Sequence, residues 1–284
     1  MRKCLCFADT TLSIVSERPF CISRVLERFV GEEDKATMEI RLIYTELPLQ
    51  RDAHPCAGED FFRRYCADGE SVCVEMKGAG GKPSAALFCH GESLRYEIYQ
   101  NCGNGITGWL SLLPMPWLLY SKGVLFLHAA RVAVNGSAIA FVGASGVGKS
   151  TQAALWQKYG DGEILGNDRV LLRRLGAQWQ TYGYFEDGDT PVCSPRQVPL
   201  GAIVLLSQAE RNSISRAAPA KALAQMMGQT LIEQWDARMK QAVLEALLAL
   251  MQEIPVYALQ CRADGEAVDC LAQRLKTDGV ISWR

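Results

Sequence analysis

Residues 139–151 have the sequence Ile139-Ala-Phe-Val-Gly-Ala-Ser-Gly-Val-Gly-Lys-Ser-Thr151, in which four apolar residues lead into a glycine-rich loop. From Gly143 onward the loop has the pattern Gly-x-x-x-x-Gly-Lys-Ser. The apolar residues predict a strand, and the residues from Ser150 to Tyr159 suit a helix. A glycine-rich turn between a strand and a helix is the setting in which this pattern binds phosphate groups.

The chemistry of this loop predicts a site for a nucleoside triphosphate with Mg²⁺. Glycines let successive backbone N–H groups turn toward phosphate oxygens, and the helix dipole adds to the positive field. Lys149 supplies a charge for the β- and γ-phosphates, and the Ser150 hydroxyl can coordinate Mg²⁺. The alternative is a glycine-rich turn with an exposed lysine. The predicted nucleotide-binding residues are Gly143, Ala144, Ser145, Gly146, Val147, Gly148, Lys149, Ser150 and Thr151.

A carboxylate that could complete a metal site follows Ser150 by eighteen residues, in the stretch Ile164-Leu-Gly-Asn-Asp168. Phosphoryl-transfer proteins hold their metal with a carboxylate at the end of a strand beside the phosphate loop. Asp168 is therefore a candidate metal ligand together with Ser150, and a candidate catalytic residue. An ordinary Asn-Asp turn between strands is the alternative.

The residues around the loop predict an α/β (α+β) fold. Asn135-Gly136 favours a tight hairpin between two apolar strands, the second of which enters the loop. Further strands are expected at Ile164–Leu165, Val170–Arg173, Gln178–Tyr182 and Ala202–Leu206, and the apolar stripe of Leu231–Met251 predicts an amphipathic helix.

The first 105 residues have a different pattern, since they consist mainly of short stretches rich in β-forming residues. One helix is expected among them, at Ile22–Phe29, and a hairpin turn at Gly78–Pro83. The pattern changes near Asn101–Gly105, which predicts two domains: a mainly β N-terminal domain at 1–105 and a nucleotide-binding domain at 106–284. The expected strands are Lys3–Phe7, Thr11–Val15, Met38–Tyr44, Ser71–Met76, Ala85–Cys89 and Leu94–Tyr99.

Composition narrows the classes of partner. The chain has 284 residues, 49% of them apolar and 21% charged, with a formal net charge of -1, so no basic excess favours nucleic acid or anionic lipid. The N-terminus meets charge after too few apolar residues for a secretory signal, which predicts a cytoplasmic protein. Trp109–Leu119 is apolar but interrupted by two prolines and too short to span a bilayer.

Eleven cysteines are present without a Cys-x-x-Cys pair, and reduced thiols are expected in the cytoplasm. His54, Cys56, Cys66 and Cys73 have the ligand types of a zinc site, but their intervals match no usual zinc spacing.

Residues 127–224 resemble the HPr kinase/phosphorylase group, which shares its kinase core with ATP-dependent phosphoenolpyruvate carboxykinase. The resemblance is carried by Leu127-His-Ala-Ala, the hairpin at 132–141, the glycine-rich loop, Gly166-Asn-Asp-Arg-Val170 and Val198-Pro-Leu-Gly-Ala-Ile-Val-Leu-Leu206 followed by Arg211-Asn-Ser-Ile. It implies a P-loop kinase core that transfers the γ-phosphate of ATP to a hydroxyl group. A histidine before the loop lies close to the transferred phosphate in that family, which makes His128 a candidate catalytic residue with Lys149 and Asp168. Without the family, a core histidine is the alternative. Oligomers are common in the group, so a homo-oligomer is a possibility.

Two departures from the family pattern bear on catalysis. The family usually has adjacent aspartates where this chain has Asn167-Asp168, and an asparagine cannot accept a proton from a hydroxyl group. After Tyr182, a Pro-Trp-Ser-Gly segment is common in the family, whereas this chain has Gly183-Tyr-Phe-Glu-Asp-Gly-Asp-Thr.

Two hypotheses follow from these features. The first is an ATP-dependent, HPr-kinase-like phosphotransferase that acts on a hydroxyl group of a protein, peptide or small molecule, with a serine hydroxyl as the leading candidate. The second is a nucleotide-binding regulatory or scaffold protein that has lost catalysis, because of Asn167 and the altered segment after Tyr182. A transport ATPase fits less well, since no Leu-Ser-Gly-Gly-Gln-type signature is present.

Overall fold

The computed structural model of the protein describes residues 1–32, 36–44, 54–55, 63–67, 71–77, 83–90, 95–100, 113–185, 192–233 and 236–280. The chain forms two compact units. One consists of Met1–Leu118 with Glu233–Ala237, and the other of Leu119–Ile232 with Arg238–Arg284. The boundary predicted near residue 105 lies outside the described residues, in the range 101–112.

The first unit contains a sheet in the order β1-β2-β3-β8-β7-β6-β5-β4. Its strands are β1 (Arg2–Phe7), β2 (Thr10–Ser16), β3 (Ala36–Ile43), β4 (His54–Pro55), β5 (Arg63–Ala67), β6 (Ser71–Lys77), β7 (Pro83–His90) and β8 (Arg95–Gln100). β3 is parallel to both β2 and β8, and the other pairs are antiparallel. Each strand predicted here is present.

Three expectations for this unit have different outcomes. The helix predicted at Ile22–Phe29 is wrong, since only a 3₁₀ turn forms at Leu26–Phe29. Its buried residues are Leu26 and Phe29, which lie three apart and satisfy a single turn without continuing a helix. The turn predicted at Gly78–Pro83 falls mostly on residues 78–82, outside the described part, although β6 and β7 pair as a hairpin. The side chains of His54, Cys56, Cys66 and Cys73 also lie outside it.

The second unit is mixed α/β, as predicted. Its helices are α2 (Lys149–Tyr159), α3 (Pro219–Gln229), α4 (Ala237–Glu253) and α5 (Gly265–Thr277). A short helix α1 (Met115–Tyr120) precedes them in the sequence, where the assignment of the chain changes from the first unit to the second. Its strands are β9 (Val124–Val134), β10 (Ser137–Val142), β11 (Glu163–Gly166), β12 (Arg169–Leu175), β13 (Gln178–Gly183), β14 (Val198–Gln208), β15 (Ser213–Arg216) and β16 (Val256–Cys261).

The main sheet of this unit has the order β10-β9-β12-β13-β14-β16-β15, with β11 paired to β9. β10 also pairs in parallel with β14, and β14 pairs in parallel with β16. The predicted hairpin between β9 and β10 is present, with φ of 48° at Asn135 and 82° at Gly136, as a tight turn between twisted strands requires.

Helix α4 begins later than predicted. The apolar stripe of Leu231–Met251 suggested one helix, but Thr230 and Leu231 run beside β9 and the helix starts at Ala237. Leu231 N–H donates to the Phe126 carbonyl over 2.8 Å, so its apolar side chain belongs to a strand-like segment and not to the helix. The spacing of apolar residues alone could not distinguish this strand-like segment from the first turn of a helix.

The core of the second unit lies between the sheet and helices α2 and α5. Trp156 of α2 is fully buried and packs near Phe141 of β10, with ring centroids 6.5 Å apart. Val268 and Leu271 of α5 belong to the same cluster. This packing fixes α2 on β10, so the loop between them is held at both ends. None of the described helices is long and apolar enough to cross a membrane.

Candidate functional site

The glycine-rich loop connects β10 to the first turn of α2. Gly146 and Gly148 have φ of 76° and 109°, in the region that favours glycine, and Gly148 immediately precedes the helix. Gly143 allows a close approach: a Cβ there would lie 2.9 Å from Val147 Cγ1 and 3.3 Å from the Leu206 carbonyl oxygen. The loop therefore needs glycine at these three positions for conformation or for space. Ala144, Ser145, Gly146, Ser150 and Thr151 are exposed.

Lys149 is the best-buried polar side chain of this loop. Only 7% of the residue is exposed, and its Nζ donates to the carbonyl oxygens of Gly143 (2.9 Å) and Ala144 (3.2 Å). Burial lowers the pKa of Lys149, and the nearby Asp168 carboxylate acts in the opposite direction. The ammonium group thus lies over the loop and within electrostatic reach of Asp168.

His128 and Asp168 are in direct contact. His128 Nε2 lies 2.9 Å from Asp168 Oδ1, and the two side chains are 29% and 27% exposed. The contact follows from strand pairing, since His128 of β9 is opposite Arg169 of β12 and Ala129 N–H donates to the Asp168 carbonyl over 3.1 Å. The two candidates, forty residues apart in the sequence, are therefore brought together by the β9–β12 register.

Several charges act on the His128 imidazole. Burial is the main reason that its pKa is lowered from the usual value, and the Lys149 and Arg169 cations add to that effect. The Asp168 carboxylate and a hydrogen bond with Gln229 act in the opposite direction. Because the net shift is downward, the neutral imidazole is the main form at pH 7, and a neutral imidazole can accept a proton.

The candidate magnesium ligands are oxygen atoms. Ser150 is exposed in the first turn of α2. Asp168 is close enough to Lys149, the residue before Ser150, to change the pKa of the lysine. In the part of the chain that the structure describes, no group of three or more His, Cys, Asp or Glu side chains could hold a metal. A hydroxyl and a single carboxylate fit Mg²⁺, which keeps waters and substrate phosphates as its other ligands.

Comparison with known proteins identifies the family. Residues 107–276, more than half of the chain, match the family model described as SynChlorMet cassette protein ScmC. The chain belongs to the ScmC family. Among solved structures, the HPr(Ser) kinase/phosphatase from Coxiella burnetii is a match with 14% sequence identity and a TM-score of 0.32. That match covers 54% of this chain and 99% of the other. No curated protein matches the chain.

Three further residues of this ScmC-family chain lie at the site, and sequence reasoning assigned none of them a role. Arg169 Nε is 3.4 Å from Asp168 Oδ2. Gln229, the last residue of α3, hydrogen-bonds His128, and Gln208, the last residue of β14, donates from Nε2 to the Gly146 carbonyl over 3.3 Å. A polar residue at the end of a strand was the available signal for Gln208. No sequence signal indicated Gln229, because helix α3, which it ends, was not predicted.

The position of Gln229 is set by the chain that follows it. Thr230 bridges to Leu127 in an antiparallel arrangement, so the preceding residue, Gln229, falls beside His128. The Thr230 hydroxyl donates to the Met226 carbonyl over 2.8 Å, which ties the bridge back to α3. The Gln229 side chain donates from Nε2 to the Gly228 carbonyl over 3.1 Å.

Of the two departures from the kinase pattern, the structure describes the first in full and the second only in part. Asn167 precedes Asp168 and is partly buried. In the second departure, Glu186, Asp187 and Asp189 lie outside the described residues. Residues 193 and 194 lie beside the strand that leads to Asp168. Cys193 forms a β-bridge with Gly166, and Ser194 N–H donates to the Leu165 carbonyl over 3.0 Å.

Proposed function

We propose that this protein is an ATP-dependent phosphotransferase with an HPr-kinase-like P-loop core. It transfers the γ-phosphate to a hydroxyl group of a protein, peptide or small molecule, and a serine hydroxyl is the leading candidate. The observation that carries the proposal is the 2.9 Å contact between His128 Nε2 and Asp168 Oδ1, within electrostatic range of Lys149 at the start of α2. A cation from a glycine-rich loop and a proton-accepting pair are the groups that phosphoryl transfer requires.

The loop and Lys149 would position the triphosphate. Exposed residues 144–146 and the left-handed glycines allow loop N–H groups to face phosphate oxygens, as in an anion-binding nest. Lys149 is confined to this loop by its two carbonyl contacts, so its charge is already placed near the phosphates. Such preorganised charge accounts for much of the catalysis of phosphoryl transfer.

The His128–Asp168 pair would accept the proton of the acceptor hydroxyl. The O–H bond breaks, the oxygen forms a bond to the γ-phosphorus, and the bond between that phosphorus and the β–γ bridging oxygen breaks to leave ADP. The proton goes to the pair, in which neutral His128 has capacity for it. This supplies a base in spite of Asn167. Mg²⁺, held by Ser150 and Asp168, would neutralise charge on the β- and γ-phosphate oxygens.

The second candidate is a regulatory or scaffold protein that binds Mg·ATP without turnover. Asn167 favours it, because the proposed site has one carboxylate where two are usual in the resembled family. The two candidates differ in single-turnover behaviour with γ-labelled ATP. Incubation of the protein and labelled ATP with a lysate of its own organism should label an acceptor if the first is right.

Asp168→Asn is expected to lower the single-turnover rate of γ-phosphate transfer by about 100-fold or more, because it removes the carboxylate from the proton-accepting pair and one proposed ligand of Mg²⁺. Nucleotide binding should persist, because the glycine-rich loop and Lys149 are unchanged. Asp161→Asn is the matched control: Asp161 is exposed, has φ of 51°, which asparagine tolerates, and follows α2 away from the pair. Equal rates for the parent and Asp168→Asn would refute the proposed catalytic role. Labelled-ATP binding without any turnover in the parent would favour the regulatory protein.

The pH dependence of transfer should reflect His128. Since its pKa is lowered from 6.5, the base is already deprotonated at pH 7, and the rate should be level from there upward and fall only in more acidic solution. His128→Gln should reduce the rate and remove this acidic inflection. An unchanged pH–rate profile in that variant would assign the inflection to another group.

A further inference from the structure

Arg169 is the feature of the site that the proposed mechanism leaves unused. It is the first residue of β12 and lies opposite His128 in the strand pairing. Its side chain is 29% exposed, so solvent reaches it. The Nε atom lies 3.4 Å from Asp168 Oδ2 yet is buried and makes no hydrogen bond within the described residues. Arg169 is thus held beside the His128–Asp168 pair by a long ion pair and is not saturated by it.

The charges around His128 do not cancel. His128 Nε2 lies 2.9 Å from Asp168 Oδ1, and Arg169 Nε lies 3.4 Å from Asp168 Oδ2. Lys149, held on the loop carbonyls, is within electrostatic range of the same carboxylate, so among the described residues two cations face one carboxylate here. One carboxylate can neutralise one cation. Counted over the residues that the structure describes, one positive charge is therefore left for an anionic ligand, and partial burial strengthens its field relative to water.

The two cations occupy different parts of the site. Lys149 is held on the loop carbonyls of Gly143 and Ala144. Arg169 is held on the strand side, next to the pair that would take the hydroxyl proton. The His128–Asp168 pair would take the proton from the hydroxyl that attacks the γ-phosphorus. Of the three phosphate groups of ATP, the γ-phosphoryl group would therefore lie nearest to this pair. A planar guanidinium can contact two of its oxygens at once, which an ammonium cannot do.

We propose that Arg169 binds the γ-phosphoryl group of ATP and is the residue by which the site distinguishes a nucleoside triphosphate from a diphosphate. This inference rests on the proposed function. It assigns Lys149 to the phosphates along the loop and Arg169 to the terminal phosphate that is transferred.

The test is equilibrium binding of a non-hydrolysable ATP analogue and of ADP, each with Mg²⁺, measured by calorimetry on the full chain. Arg169→Gln should weaken binding of the triphosphate by about 10- to 100-fold, the usual loss for hydrogen bonds to a charged group, and binding of ADP by less than about twofold. Arg169→Lys, which keeps the charge but not the two-pronged geometry, should give an intermediate loss. If Arg169→Gln does not fold, Arg169→Lys alone carries the comparison.

Arg174→Gln is the matched control. Arg174 lies on the same strand, is about half exposed and pairs with Glu253 at 3.0 Å, away from His128. It should bind both nucleotides as the parent does. Equal weakening of triphosphate and diphosphate by Arg169→Gln, or weakening of neither, would overturn the inference and leave the proposed function standing. A parent protein that binds neither nucleotide would overturn both.

Discussion

Lys149→Ala is expected to reduce γ-phosphate transfer by about 100- to 1,000-fold, as does the loss of one preorganised group that stabilises transition-state charge. The side chain is nearly buried, and its ammonium is fixed on two loop carbonyls, so its charge is held in place at the loop. A single-turnover assay with γ-labelled ATP and the labelled acceptor measures the rate.

Lys158→Ala is the control for this substitution. Lys158 belongs to the last turn of the same helix, is exposed, and lies over the Tyr159 ring with Nζ 4.8 Å from its centroid. It should transfer phosphate at the parental rate. Thermal unfolding of both variants separates a loss of charge from a loss of fold. If Lys149→Ala moved γ-phosphate as fast as the parent, the loop would be a structural turn.

Gly183→Ala is expected to give the largest loss of stability. A Cβ at this position would lie 2.2 Å from the Ser194 carbonyl oxygen and 2.9 Å from its carbonyl carbon, and backbone atoms cannot move aside as a side chain can. Overpacking of this kind costs about 3 kcal/mol of the free energy of unfolding. For a chain of this size, the melting temperature should fall by roughly 6–12 °C.

The buried Arg131 side chain makes it costly for Ser194 to move away from a Cβ at residue 183. The Arg131 side chain is fully buried and donates to the carbonyls of Ser194 (2.7 Å) and Arg196 (3.0 Å), and to Thr181 Oγ1 (3.2 Å). Moving Ser194 away from Gly183 would break a hydrogen bond to a buried guanidinium, which is among the stronger protein hydrogen bonds. The segment that re-emerges beside the site is thereby fixed to β9, the strand that carries His128.

Gly228→Ala provides the matched comparison for Gly183→Ala. Gly228 lies in α3, and a Cβ there would meet nothing within 4 Å. Alanine in a helix is favoured over glycine by about 1 kcal/mol, so this variant should be as stable as the parent or slightly more so. Calorimetric unfolding of both variants would test the difference. A Gly183→Ala protein that melts with the parent would show that residues 193–196 are not held as described.

Local patterns made much of the second unit predictable. The hairpin at Asn135-Gly136 follows from two residues that tolerate positive φ between apolar strands, and the start of α2 follows from the glycine-rich loop. The helix at Ile22–Phe29 was wrong and α4 started late because a short apolar stretch has the same composition in a helix, a turn or a strand. In this unit, strands β15 and β16 and helices α3 and α5 were missed.

The sequence by itself determined the strand–loop–helix segment at 137–159, the hairpin before it and the candidates His128, Lys149 and Asp168. The segment, the hairpin and the candidates Lys149 and Asp168 depend on residue types at short spacing, where backbone sterics and hydrogen bonding act locally. His128 became a candidate through the resemblance to HPr kinase/phosphorylase. Only the tertiary structure decided that His128 contacts Asp168, that Arg169 and Gln229 lie beside them, and that Arg131 fixes Ser194. The contact of His128 with Asp168 joins residues 40 positions apart, and that of Arg131 with Ser194 joins residues 63 positions apart. Such contacts depend on strand register, which long-range packing selects and no local pattern encodes.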